Sequence, residues 1–242
     1  MSVRSTVFGT LLAALLGIPL TQGATAQEVT QLYEVRGLGM KLGTFRLVSQ
    51  QGEGRYAISS RFQTSGMMQV FARIRMDMQA AGALAALHPV PRHYRENIDT
   101  GRRQSDVTLS WRAGLPQVTE GAVNPEGTPA DPAAQGDALD PASTLLIVAT
   151  PRPAETLCGM DQPVFDGARR TRVRLAPPRP EGPEVTCNGQ FLREAGYSAD
   201  QLARARAFDL ALRYVPGPTG AYLLAEARVE TIFGSLSLTL LD

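Results

Sequence analysis

L-C-G-M-D-Q-P-V-F-D-G-A-R-R-T-R-V-R-L, residues 157–175, followed after a Pro-rich connection by E-V-T-C-N-G-Q-F-L-R-E-A-G-Y, residues 184–197, holds the chain's two cysteines, Cys158 and Cys187. Between them stands the strongest hairpin signal in the sequence. Asp166-Gly167 supplies positive φ at low cost in a two-residue turn, set between Pro163-Val164-Phe165 and the alternating run from Arg170 to Leu175. The expectation is a disulfide-stapled β hairpin whose structural residues are Phe165, Asp166, Gly167, Arg169 and Arg170. The turn's role is to set hairpin twist, with Arg169 and Arg170 solvated or paired with neighbouring acids; a specific anion site is the alternative.

The start of the chain supplies the compartment. Arg4 gives a small positive region, Val7 to Leu20 is apolar or small, and Ala24-Thr25-Ala26 has the A-x-A form of a cleavage site. Cleavage is predicted after Ala26, with export to the periplasm. The alternative, an amphipathic N-terminal helix, lacks a polar stripe. The apolar run is shorter than the roughly 20 residues a bilayer span needs, so an integral membrane protein is not expected. In an oxidising compartment two distant cysteines pair rather than bind metal, since tetrahedral zinc takes four ligands. Closing a loop of about 30 residues is worth about 3.6 kcal/mol in the chain-entropy model. A redox-active pair is the weaker reading, because the motif is not C-x-x-C.

Removing 26 of the 242 residues leaves 216, read as a single β-rich domain over 27–242. Lys plus Arg number 24 and Asp plus Glu 23; the removed segment carries only Arg4, so the remainder is 23 against 23 and neutral. Neutrality removes the electrostatic footprint of a nucleic-acid partner. Lys41 is the only lysine.

Most extended runs alternate apolar and polar residues at period two. Val29 to Arg36, Met40 to Val48 and Arg55 to Gln63 form a meander joined by Gly-rich turns, with Tyr56, Ile58 and Phe62 on one face. Gly66 to Phe71 could make one helical turn, and Arg73 to Gln79 alternates again, with Ile74, Met76 and Met78 on one side. Tyr94 to Ile98 and Gln104 to Arg112 form a hairpin that points Trp111 inward as a core anchor. Residues 113–136 lose periodicity and are expected to be an irregular Pro/Gly/Ala-rich loop, either a lid or a plain insertion. Asp140-Pro141 is an N-cap followed by Pro at the first helical position, heading a short apolar helix that ends before Pro151. A second short helix is expected after Ser198, and the remaining chain returns to strands. About ten to twelve strands exceed what an open sheet accommodates flat, so the predicted architecture is mainly β, a curled antiparallel sheet closing partly into a barrel, with one or two short helices and one disulfide.

Y-E-V-R-G-L-G-M-K-L-G at residues 33–43, D-P-A-S-T-L-L at 140–146, C-G-M-D-Q-P-V-F-D-G-A-R-R at 158–170 and the second cysteine before Gly196-Tyr197 together resemble the bacterial exported family called domain of unknown function 3108. The most specific piece is V-F-D-G-A-R-R, Val164 to Arg170. The resemblance implies no chemistry; at fold level it implies kinship with curled-sheet envelope proteins that cradle acyl chains or act as scaffolds, an argument by analogy.

The sequence contains no H-E-x-x-H, G-x-S-x-G, S-x-x-K, Walker A or dinucleotide fingerprint. His88 and His93, taken as surface-loop residues around Pro89 and Pro91, suggest no metal, and no cofactor is expected. Carboxylate pairs such as Asp161 with Asp166, or Glu226 with Glu230, do not by themselves define an acid and base. Met40, Met67, Met68, Met76 and Met78 suit an adaptable apolar pocket, and equally an ordinary core. The candidate pocket is Met40, Tyr56, Ile58, Phe62, Ile74, Met76, Met78 and Trp111. The expected function is non-enzymatic: holding a hydrophobic or acyl ligand on the concave face. A scaffold for another envelope protein is the alternative, and a hydrolase using a carboxylate such as Asp166 is a third class.

Overall fold

The computed structural model describes residues 27–66, 69, 73–101, 103–232 and 234–241. The expected signal segment, Met67, Met68 and most of the helical turn expected from Gly66 to Phe71 lie outside the described residues.

Among the described residues, fourteen strands form one antiparallel sheet. β1 (Gln27–Gly37), β2 (Met40–Gly52), β3 (Arg55–Thr64), β4 (Arg75–Ala85), β5 (His88–Asp99), β6 (Gln104–Arg112) and β7 (Leu115–Val123) make up the first half as a meander. The second half contains β8 (Asp161–Phe165), β9 (Arg170–Leu175), β10 (Arg179–Glu181), β11 (Glu184–Ala195), β12 (Ala207–Pro216), β13 (Tyr222–Thr231) and β14 (Gly234–Leu240). The order across the sheet is β7-β6-β5-β4-β3-β2-β1-β14-β13-β12-β11-β9-β8, with β10 paired to β11 off this path. The last strand therefore pairs with the first, Tyr33 opposite Leu240 and Gly37 opposite Leu236, and joins the two meanders.

Two expectations are corrected here. The strand count is fourteen, above the expected ten to twelve, in part because Leu115–Val123 is a strand inside the segment read as irregular. Its period-two signal is hidden: Leu115 and Val118 are exposed, Pro116 and Val123 are buried, and Gly121 adopts φ 68. Pro116 is admissible because β7 is an edge strand. His88 and His93 sit on β5 rather than in a loop, both exposed. Residues 88–91 of β5 pair with β4 but not with β6, which opens an edge where Pro89 and Pro91 fit.

The sheet curls. Met76 and Ile98 from the first half line the same space as Val173, Phe191 and Leu212 from the second, which a flat sheet of this width would keep far apart. It does not close by strand pairing, since β7 and β8 are not partners. The connection between them covers the seam instead. Ala130 N–H donates to the Ala168 carbonyl at 2.8 Å, Leu139 N–H donates to the Pro163 carbonyl at 3.0 Å, and Phe165 N–H donates to Leu139 at 2.8 Å.

Helix α1 (Pro141–Ala149) lies on the concave side against β3, β4, β5, β8 and β13. It is short and apolar, so its position comes from its ends. Asp140 caps it by accepting from Ser143 N–H at 2.7 Å, and the Tyr56 hydroxyl on β3 is 2.5 Å from Ser143 Oγ. At the far end Tyr214 on β12 donates to the Val148 carbonyl at 2.8 Å. Helix α2 (Ala199–Arg204) follows a capping box built from Ser198 and Gln201.

Candidate functional site

Because α1 covers only part of the concave face, a cavity of about 410 Å³ remains between it and the sheet. Most of its wall is aliphatic or aromatic. Thr144, Leu145 and Val148 of α1 form one side, Tyr33, Phe45 and Met78 another, and Leu210, Leu224 and Leu238 a third.

The strand register places four of the charged residues of this wall at one rim, while Arg228 lines it from β13. The β5–β6 turn and the β8–β9 turn both lie there, bringing Glu96, Arg103, Asp166 and Arg169 to the cavity. Glu96 is 1% exposed and surrounded by donors. Tyr94 donates to its Oε2 at 2.7 Å, Arg103 Nη2 donates to Oε1 at 2.9 Å, and Ser105 Oγ makes a third short contact. Burial pushes the Glu96 carboxyl above the usual carboxylate range, with Arg103 opposing. Arg103 Nη2 also reaches Asp166 Oδ2 at 3.1 Å. Asp166 Oδ1 accepts from Ala168 N–H at 3.1 Å and Arg169 N–H at 2.7 Å, so this carboxylate organises its own turn.

That turn differs from the two-residue expectation. Phe165 pairs with Arg170, and Asp166 N–H donates to the Arg169 carbonyl, which leaves a four-residue loop, Asp166 to Arg169. Gly167 adopts φ 105 and packs against β6: a Cβ there would sit 3.2 Å from Val107 and 3.4 Å from Leu109. The D-G turn therefore wedges one end of the sheet against the other, a tertiary role its sequence does not display. Phe165 is fully buried behind it. Arg169 is not solvated but 9% exposed. Arg170 is paired, through Nη1 and Nη2 to Asp137 at 2.8 Å each and Nε to Glu194 at 2.7 Å.

Cys158 and Cys187 are bonded, with Cα atoms 5.4 Å apart. Cys187 lies on β11 and Cys158 just before β8, while β9 runs between those two strands, so the bridge ties the edge hairpin to the body of the sheet.

Of the eight residues taken for a pocket, Met76 and Met78 line the cavity. Tyr56 and Ile58 are buried in the core, Tyr56 beneath the N-terminus of α1. Phe62 and Ile74 are half-buried, and Trp111 packs half-buried against the core away from the cavity wall. Met40 is 52% exposed at the β1–β2 hairpin tip. Period-two reading assigned the inward faces of β3 and β4 but could not say where along them α1 would lie. The second half of the wall, from β9 to β14, went unassigned because its inward leucines and valines look like any core. Asp161 and Glu194 join the surface ladder with Arg170 and Arg172, away from the cavity wall.

No curated protein matches the chain. Among solved structures it is similar to the crystal structure of a beta-barrel-like protein of domain of unknown function DUF1849 from Brucella abortus. That match has 12% identity and a TM-score of 0.44, and covers 90% of this chain and 97% of that one. The family model described as "Protein of unknown function (DUF3108)" matches residues 31–179, which include most of β1, all of β2 to β9, the D-G turn and the first cysteine, and the chain belongs to that family.

Proposed function

We propose that this is an exported, periplasmic, non-enzymatic binding protein that holds a hydrophobic ligand, an acyl chain, inside its curled sheet. The observation that carries this reading is the unfilled apolar cavity of about 410 Å³ between α1 and the sheet. The cavity is partly open to solvent, so its apolar wall stays in contact with water until something covers it. The volume lies in the range of small-molecule sites. At the roughly 30 Å³ a water occupies in the liquid, it holds on the order of fifteen heavy atoms, one acyl chain rather than two. Burying a ten-carbon chain at about 0.8 kcal/mol per methylene gives roughly 8 kcal/mol before the costs of association. The bonded cysteines support an oxidising compartment.

Isothermal titration of the delipidated protein with decan-1-ol tests the reading. Saturable binding, abolished when the cavity is filled by Ala227→Trp, is the expected result; absence of binding contradicts it. A second reading, docking of an envelope protein on the outer edge, is favoured by β7, an edge strand on which Leu115 and Val118 are exposed. It predicts that charges introduced at these two positions abolish capture of a partner and leave decanol binding unchanged.

A further inference from the structure

Arg169 stands out among the charged groups of the cavity wall. Its side chain is 10% exposed, yet its guanidinium makes no side-chain hydrogen bond among the described residues. Its nearest acid, Asp166 Oδ2, is 3.6 Å from Nη1, and the Tyr197 ring lies 5.9 Å from the guanidinium carbon. A buried guanidinium ordinarily satisfies several of its five N–H donors.

The acids close by are already engaged. Asp166 accepts from the backbone of residues 168 and 169 and from Arg103; Glu96 accepts from Tyr94, Ser105 and Arg103. Arg103 spans both carboxylates through Nη2, while its Nε is buried without a partner. Two guanidinium groups with unused donors thus border an apolar chamber. Tyr197 in turn is held by Arg193, which lies 5.0 Å over its ring and donates to the Gln201 and Ala205 carbonyls at 3.0 and 3.1 Å. Burial, reinforced by the nearby Arg103 and opposed by Asp166 and Glu96, lowers the Arg169 pKa from its ordinary value.

We infer that the cavity takes a single-chain amphiphile with an anionic head, carboxylate or phosphate monoester, whose oxygens are bound by Arg169 and Arg103 while its tail runs inward toward α1. The inference rests on the proposed apolar ligand and adds the head group. A forked guanidinium matches both oxyanions, and a charge-assisted hydrogen bond inside a protein is about twice as strong as a neutral one.

Titration calorimetry at pH 8 with decanoate, decyl phosphate and decan-1-ol, on the full folded protein, reads this directly. Wild type should bind at least one of the two anions about tenfold or more tightly than the alcohol, and the anion preferred identifies carboxylate or phosphate as the source. Arg169→Gln should bring the anions down to the alcohol's affinity and leave the alcohol unchanged. The surface variant Arg174→Gln should retain the preference. Equal wild-type affinity for acid and alcohol overturns the head-group site while the apolar cavity stands; no binding of any of the three overturns both. A preference that survives intact in Arg169→Gln overturns the assignment to Arg169. The wild-type comparison needs no variant, so it decides the question even if Arg169→Gln fails to fold.

Discussion

Raising the pH should weaken this fold through Asp140. Its carboxyl is fully buried at the N-terminus of α1, accepting from Ser143 N–H and from Ser143 Oγ at 2.5 Å. These bonds favour the charged form, but burial outweighs them and pushes its pKa from 3.8 up to about 7. A raised carboxyl pKa means the folded state holds a proton that the unfolded chain has released. The stabilising effect is complete below about pH 4, declines as pH rises, and is gone above about 7. Three pKa units at 1.36 kcal/mol each put the swing on the order of 4 kcal/mol. Asp140→Asn removes the titration and keeps the cap, because Asn serves equally well there. Its amide N–H can donate to Ser143 Oγ, which can then donate to Tyr56. Urea unfolding at pH 5 and pH 8 should show the variant gaining on the wild type by about 3 kcal/mol between the two, the two pKa units that remain from pH 5 to about 7. Glu96, also raised by burial, contributes in the same direction and should persist in the variant; Glu96→Gln isolates it. The salt-bridged Asp77, Asp137, Asp161 and Glu194 are lowered and act in the opposite sense, at more acidic pH. Parallel stability curves for wild type and Asp140→Asn from pH 5 to 8 would refute the reasoning.

Other outcomes follow from the same geometry. Replacing both cysteines with alanine should cost about 3 to 4 kcal/mol in denaturant unfolding, since the bridge spans 29 residues of sequence and Cys187 is fully buried. Gly167→Val forces a branched side chain into φ 105 and against Val107, and should lower Tm measurably, by about 2 kcal/mol or more in stability. Tyr214→Phe leaves the Val148 carbonyl at the end of α1 without its donor and should cost about 1 to 3 kcal/mol. Ala227→Trp should retain a cooperative melt while losing decanol binding, read by calorimetry.

Much of the fold was legible in the residues. Alternation set the inward faces of β3 and β4 and pointed Trp111 of β6 toward the core, Asp140-Pro141 marked the start of α1, Ser198 marked α2, and the two cysteines identified their own bond. β7 escaped because an edge strand with one side in solvent and a proline in its second position has no apolar period to show. The D-G turn was legible as a turn but not as a wedge: its four-residue form depends on the Asp166 carboxylate capping residues 168 and 169, and its contact with Val107 and Leu109 arises only once the sheet has curled. The polar rim was equally hidden, since Glu96, Arg103 and Arg169 look like ordinary surface charges in sequence, and only the strand register brings them to one cavity.

The central claim is that the space under α1 holds a ligand rather than being a packing defect. Native mass spectrometry of the protein purified from a membrane-containing lysate, with Ala227→Trp alongside, tests it most directly. The wild type should carry a bound species of single-chain lipid mass, displaced by added decanoate and absent from the variant. A bare polypeptide mass in both, with no adduct formed when decanoate is supplied, would contradict it.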